Sequence, residues 1–156
     1  MNEGIVIEGG YSTLRAWEKG KPYIGKPVYE NTVHNLIVTV GKNHFGDWLI
    51  GDVTVPFTYH AIGIDDEPPA VGQTTLESEH ARKAFTSRTR TGNIVTLSCY
   101  YTAAECTCEV EECGIFGDST ATAAADSGVM LSRYRQTYDN SGGTYDLTFD
   151  YVLTIG

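Results

Sequence analysis

Over the last stretch of the chain Tyr145, Leu147, Phe149, Tyr151, Leu153 and Ile155 alternate with Asp146, Thr148, Asp150 and Thr154. A period of two puts those apolar side chains on one face, the pattern of a β-strand laid against a core. Such a strand needs a facing layer, so its alternation constrains the rest of the fold. Val95, Leu97, Cys99 and Tyr101 alternate with Thr96, Ser98 and Tyr100 in the same way, with the odd positions inward. Phe57-Thr58-Tyr59-His60-Ala61-Ile62-Gly63-Ile64 is apolar enough to be a central strand. Asp65-Asp66-Glu67-Pro68-Pro69 ends it, because proline cannot donate to a ladder. Asn140-Ser141-Gly142-Gly143 supplies the turn before the last strand. The expected fold is mainly β, an antiparallel β-sandwich of jelly-roll-like type with one short helix and an extended N-terminal arm.

At 156 residues the chain can bury one core of ordinary size. Its 17 glycines and 10 tyrosines favour strands and turns. The net charge of -9 repels phosphate backbones and anionic lipid heads, which argues against nucleic acid as a partner. No basic region leads into an apolar run, and no stretch approaches the roughly 20 apolar residues that span a bilayer, so membrane insertion is not expected.

Residues 1–33 mix Gly4, Gly9, Gly10, Gly20 and Gly25 with Pro22 and Pro27 and show no sustained period. They read as an arm or docking segment ahead of a domain at 34–156, with Tyr11 to Glu18 able to make two helical turns capped by Ser12. The arm either lies on its own domain or docks on a neighbouring subunit, where Trp17, Tyr23 and Tyr29 would supply assembly contacts. The short helix is expected near Thr74 or Thr75. Thr74 as N-cap places Glu77 for a capping box, and Leu76, His80, Ala81, Ala84 and Phe85 share one side. Glu79 and Lys83, four apart, then read as a solvated face.

Four cysteines cluster at Cys99, Cys106, Cys108 and Cys113. If Thr102 to Glu105 close a hairpin, Cys99 and Cys108 become cross-strand neighbours about 4.5–5.5 Å apart at Cα, within disulfide range. The same four thiols have the ligand count of a zinc site, although their spacing lacks paired C-x2-C knuckles. Buried free thiols are the third reading.

Catalytic patterns are thin. His34, His44, His60 and His80 are scattered, and no nucleophile elbow or phosphate loop occurs. Asp146 and Asp150 on one strand face stand roughly 13 Å apart, too far to share a proton, and read as solubilising charges. No cofactor and no enzymatic activity are expected.

The order of several segments carries a further signal. His34-Asn35-Leu36-Ile37-Val38-Thr39-Val40-Gly41-Lys42-Asn43 can form either helix or strand. It is followed by Ile62-Gly63-Ile64, the run from Thr75 to Ala84, Gly92-Asn93-Ile94-Val95-Thr96-Leu97, Glu112-Cys113-Gly114-Ile115-Phe116 and Met130-Leu131-Ser132-Arg133. This order resembles a family of tailed-bacteriophage virion proteins found among tail-fibre, neck or collar and head-fibre components. There an N-x-(I/L)-V-x-x-G-K opening, an IGxGxG strand, a TxLxxExxRK helix, a GN-x-(V/L)TxxA strand, an E-x-G-(L/I)-F strand and an LLxR strand follow one another. The cysteine cluster departs from that pattern.

The resemblance implies a structural virion component, assembled in a host cytoplasm through its arm, with other virion proteins and copies of itself as partners. A capsid decoration protein is the second structural reading. From a different class, a carbohydrate-binding module for host-surface glycans would use Tyr100, Tyr134, Tyr138 and Trp48 as sugar platforms.

Overall fold

The computed structural model describes residues 9–53 and 56–156. Its elements in chain order are β1 (Tyr11–Glu18), β2 (Tyr29–His34), β3 (Leu36–Ile37), α1 (Thr39–Leu49), β4 (Phe57–Gly63), β5 (Glu79–Ala84), β6 (Ser87–Thr91), β7 (Ile94–Tyr101), β8 (Glu109–Gly117), β9 (Val129–Asp139) and β10 (Tyr145–Thr154). They make two five-stranded sheets, β2-β1-β10-β7-β6 and β3-β9-β8-β4-β5. All the pairings are antiparallel. The chain is therefore mainly β, an antiparallel sandwich with one short helix, as its alternating segments predict.

The inward phases of β7 and β10 follow the sequence. Leu147, Phe149, Tyr151 and Leu153 face Leu97, Cys99 and Tyr101 in one buried cluster, with Phe149 opposite Cys99 and Tyr151 opposite Leu97. The second sheet closes that cluster with Ile62, Val110, Cys113, Ile115, Leu131 and Tyr134. A smaller cluster of Val38, Ala61, Leu76, Phe116 and Met130 lies apart from the first.

Two expectations fail, for the same reason. Tyr11–Glu18 is neither arm nor helix: it is β1, hydrogen-bonded to β2 on one edge and β10 on the other. Leu14 and Ala16 are fully buried and Trp17 nearly so. The boundary at residue 33 falls inside β2, and residues 1–8 of the expected arm lie outside the described residues. The helix expected from Thr74 or Thr75 is likewise absent, and Glu79–Ala84 forms β5 on the edge of β4. A helix of two or three turns is marginal by itself, whereas an open strand edge satisfies the backbone along its length.

The helix sits instead at Thr39–Leu49, where the sequence leaves helix and strand open. No side chain caps its start, and packing holds it. A Cβ on Gly41 would come within 2.6 Å of the Leu131 backbone, so glycine is what lets α1 lie directly on β9.

The outer face of β10 is covered rather than solvated. Trp17 Nε1 donates to Thr148 Oγ1 at 2.9 Å, and Asp146 is 3% exposed. Asp146 accepts from the Tyr100 hydroxyl and from the Gly20 and Ala103 amides at 2.7–2.8 Å. Burial alone would raise its pKa, but these donors hold it below the ordinary carboxylate value. Asp150 accepts from Arg15, Tyr23 and Ser98. Both aspartates thus pin loops and neighbouring strands and are not solubilising charges. Asp146→Asn is expected to cost about 2–3 kcal/mol at neutral pH, measured by urea unfolding. The depressed pKa stabilises the fold above the unfolded-chain value near ~3.9 and loses that contribution as pH falls through the folded value, so the variant's curve should be flatter below about pH 4.

Candidate functional site

One end of the sandwich is left open. There the gap between the sheets widens into an apolar cleft of about 260 Å³. Phe45 and Trp48 of α1 and Phe57 at the start of β4 form one wall, and Val95, Leu97, Leu153 and Ile155 form the other. Gly41, His44 and Phe45, and Trp48 recur at three- and four-residue spacing, which turns the aromatic side of α1 into the cleft. Trp48 on its wall is 48% exposed, and Leu49 and Ile50, which follow it at the end of α1, are 61% and 73% exposed. Exposed apolar side chains beside an apolar cavity mark an interaction surface more than a stability feature.

Few polar groups enter this cleft. Arg88 and Arg90 reach its rim from the exposed edge strand β6. Neither forms an ion pair among the described residues, and Arg90 donates only to the Gly92 carbonyl. His44, 6% exposed, lines the cleft with a buried Nε2 that has no hydrogen-bond partner among the described residues. An apolar cavity with a few convergent polar groups is the general form of a binding site.

The residues singled out from sequence divide sharply. Trp17 is buried against Thr148, with its ring 5.6 Å from Tyr23, so it serves its own fold and not assembly. Tyr23 is half exposed, and its hydroxyl is fixed on Asp150. Tyr29 packs on Tyr138 at 4.8 Å beside an open groove formed by Glu109, Glu111, Arg135 and Asp139. Of the four sugar-platform candidates, Tyr134 is buried in the core, while Tyr100 donates to Asp146 and lies under the Lys83 ammonium. Trp48 and Tyr138 present surface.

All four thiols are free and buried. β7 and β8 lie in opposite sheets, so residues 102–108 cross the sandwich instead of closing a hairpin, and Cys99 never becomes the cross-strand partner of Cys108. The disulfide reading fails for that reason. Cys106 is held locally, 3.1 Å from the Thr102 carbonyl and 3.3 Å from Asn140 Nδ2. No group of three or more His, Cys, Asp or Glu side chains among the described residues is arranged to hold a metal, so Cys99, Cys106, Cys108 and Cys113 do not converge as a zinc site. Burial pushes the Cys99 thiol up to about 12 and those of Cys106 and Cys108 to about 11. The folded protein is expected to resist thiol alkylation at pH 8 and to take up four labels once unfolded. Labelling of the folded protein, followed by mass, checks this.

Two polar networks tie the fold together, and sequence reading missed both. His60 is fully buried, with Nδ1 3.0 Å from the Tyr101 hydroxyl and Nε2 3.0 Å from the Tyr134 hydroxyl. The Tyr101 hydroxyl donates to the His60 carbonyl at 2.8 Å, so its oxygen accepts from Nδ1–H, and Nε2 accepts from Tyr134. Tyr101 belongs to one sheet and His60 and Tyr134 to the other, which makes this chain a bridge across the sandwich. The second network is the fully buried pair of Arg133 and Glu112. Arg133 donates through Nε and Nη2 at 2.9 and 2.7 Å, while Glu112 also accepts the Glu77 and Ser78 amides. Arg133 Nη1 reaches the Glu67 carbonyl and Gln73, so the pair anchors residues 67–78 to the second sheet. A Cβ at Gly63 would stand 2.5 Å from the Glu112 carboxylate, and glycine there leaves room for it.

Both networks are saturated within the fold, whereas the cleft is apolar, open and unfilled by the described residues. Among those residues no helix is long and apolar enough to cross a membrane. No family model matches the chain, and neither a curated protein nor a solved structure matches it significantly.

Proposed function

We propose that the chain is a structural component of a bacteriophage virion, a non-catalytic β-sandwich module that joins the tail, neck or head-fibre apparatus through the open end of its sandwich. The observation that carries this reading is the apolar cleft, with Trp48 half exposed on its wall and Leu49 and Ile50 exposed beside it in the chain. Such a surface is costly to leave in water and suits a protein that spends its working life in contact with others. The ordered motifs that resemble virion components support the same role. The deeply buried polar networks supply rigidity and leave their titratable groups no access to a substrate. Assembly then rests on the cleft, with Trp17 assigned to the core. Capsid decoration is the variant of this reading in which the same face meets a shell.

The direct test is immunogold labelling, with antibody to the recombinant protein, of particles purified from a lysate of the strain that carries the coding sequence. Labelling at a defined position on the particle is expected. Unlabelled particles alongside abundant free protein would reject a virion role.

A second reading has its own observation. Tyr138 and Tyr29 border a shallow groove with Glu109, Glu111, Arg135 and Asp139, a mixture of ring and carboxylate that suits sugar hydroxyls. Saturable binding on a glycan array, lost in Tyr138→Ala, would favour a carbohydrate-binding module over an assembly part.

A further inference from the structure

We propose that the cleft is filled by the N-terminal segment of a second copy of this chain, Glu3-Gly4-Ile5-Val6-Ile7-Glu8, inserted as an extended strand. The inference rests on the assembly reading above and names the partner for that same site.

Chemistry and position argue for this occupant. Ile5, Val6 and Ile7 form an apolar run flanked by the carboxylates of Glu3 and Glu8. The cleft offers the complement, an apolar interior with the guanidinium groups of Arg88 and Arg90 at its rim, neither in an ion pair among the described residues. On a chain of net charge -9, these two arginines give the rim a local positive charge that suits an acidic segment.

The segment also starts in the right place. Tyr11 pairs with Val152, and Gly10 packs on the backbone of Val152 and Leu153, so β1 runs out of the body beside the last residues of β10. Ile155, next along that line, lines the cleft. Donor segment and acceptor cleft therefore share one end of the molecule. A facing copy related by a two-fold axis presents its cleft to that end, and each copy then both gives and receives. Eight extended residues reach about 27 Å, enough to cross such an interface.

The test places one cysteine on each side of the contact. Full-length I5C and W48C single variants are mixed at equal concentration with oxidised glutathione as the oxidant, and products are read by non-reducing mass. The native thiols are buried and stay silent, and each single variant alone is the control. The expected product is a mixed dimer linked between the two variants, at least tenfold above what either variant gives alone. R88E/R90E in the W48C partner should reduce its yield about tenfold, and E3R/E8R in the I5C partner should restore it. No mixed dimer, or a yield indifferent to charge reversal, would overturn the proposal. So would an I5C/W48C double variant that closes only within its own chain, because the occupant would then be the molecule's own segment. If cross-linking fails while the wild type still associates in solution, the occupant is wrong and the assembly reading stands. If the wild type never associates, the self-pairing proposal falls, and the virion reading is decided by the labelling of particles.

Discussion

Glu112→Gln is expected to destabilise the protein by about 3–5 kcal/mol, because it leaves the Arg133 guanidinium buried without its counter-charge. Both side chains are fully inaccessible, and the carboxylate accepts from two guanidinium nitrogens and two backbone amides at 2.7–3.0 Å. The loss exceeds that of an ordinary hydrogen bond because four donors lose their charged acceptor together. Replacing both partners, as Glu112→Leu with Arg133→Met, removes the uncompensated charge and should recover part of the loss. Recovery stays incomplete, since the Glu77 and Ser78 amides still lack an acceptor. Urea unfolding of the two variants measures both numbers. A cost below about 1 kcal/mol for Glu112→Gln would contradict the account of this pair. Faster proteolysis within residues 67–78 should accompany the single variant, because the pair is what holds that segment down.

The second large effect is on pH dependence. Burial takes the pKa of His60 down to about 3, and both ring nitrogens are committed to tyrosine hydroxyls as the neutral form. In the unfolded chain the same imidazole titrates near ~6.5. Between those values the unfolded state binds a proton that the folded state does not, so stability is complete above about pH 6.5 and falls as pH drops. The slope approaches about 1.4 kcal/mol per pH unit, and His60 alone should remove roughly 2.5–3 kcal/mol between pH 7.5 and 4.5. His60→Phe should be less stable at pH 7.5, having left two buried hydroxyls short of a partner, yet lose less on acidification. Unfolding free energies of both proteins across that range decide it, and parallel curves would contradict the assignment. The comparison is of slopes, since carboxylates such as Asp146 steepen the acid limb of both.

What was legible in the sequence depended on whether a segment's own residues settled its structure. β7 and β10 carry a clean period of two, and their inward faces fall where that period puts them. β5 carries helix formers throughout, Glu79-His80-Ala81-Arg82-Lys83-Ala84, and becomes a strand because β4 offers an open edge and Glu79 pairs with Arg82 across the buried side. β1 is disguised by small residues and by the glycines around it, although Leu14 and Ala16 sit in the core. A Cys99–Cys108 pair would require β7 to turn directly into a neighbour in its own sheet, whereas residues 102–108 change sheets.

The cleft was the least legible feature, because His44, Arg88, Leu131 and Leu153 come together only after both sheets form. Trp48 was noticed, but as a sugar platform. A sequence trace of the buried pair did exist. Glu111 and Glu112 interrupt the apolar run at 110–116, and Arg133 lies between Leu131 and Tyr134, so opposite charges stand inside two core strands. Charges in such positions are rarely buried unless paired, and that rule would have joined them.

Because residues 11–33 hold β1 and most of β2, only a truncation ahead of them tests the N-terminal segment. Removing residues 1–33 would delete β1 and most of β2 and destroy the first sheet, whereas removing residues 1–8 leaves the described body intact. The most direct measurement of an assembly role is therefore the solution mass by light scattering, over a concentration series, of the full chain, the chain lacking residues 1–8, and Trp48→Glu. The account predicts a discrete oligomer for the full chain and a monomer for both variants. A full chain that stays monomeric throughout, or an oligomer that both changes leave untouched, would contradict the claim that this protein assembles through the open end of its sandwich.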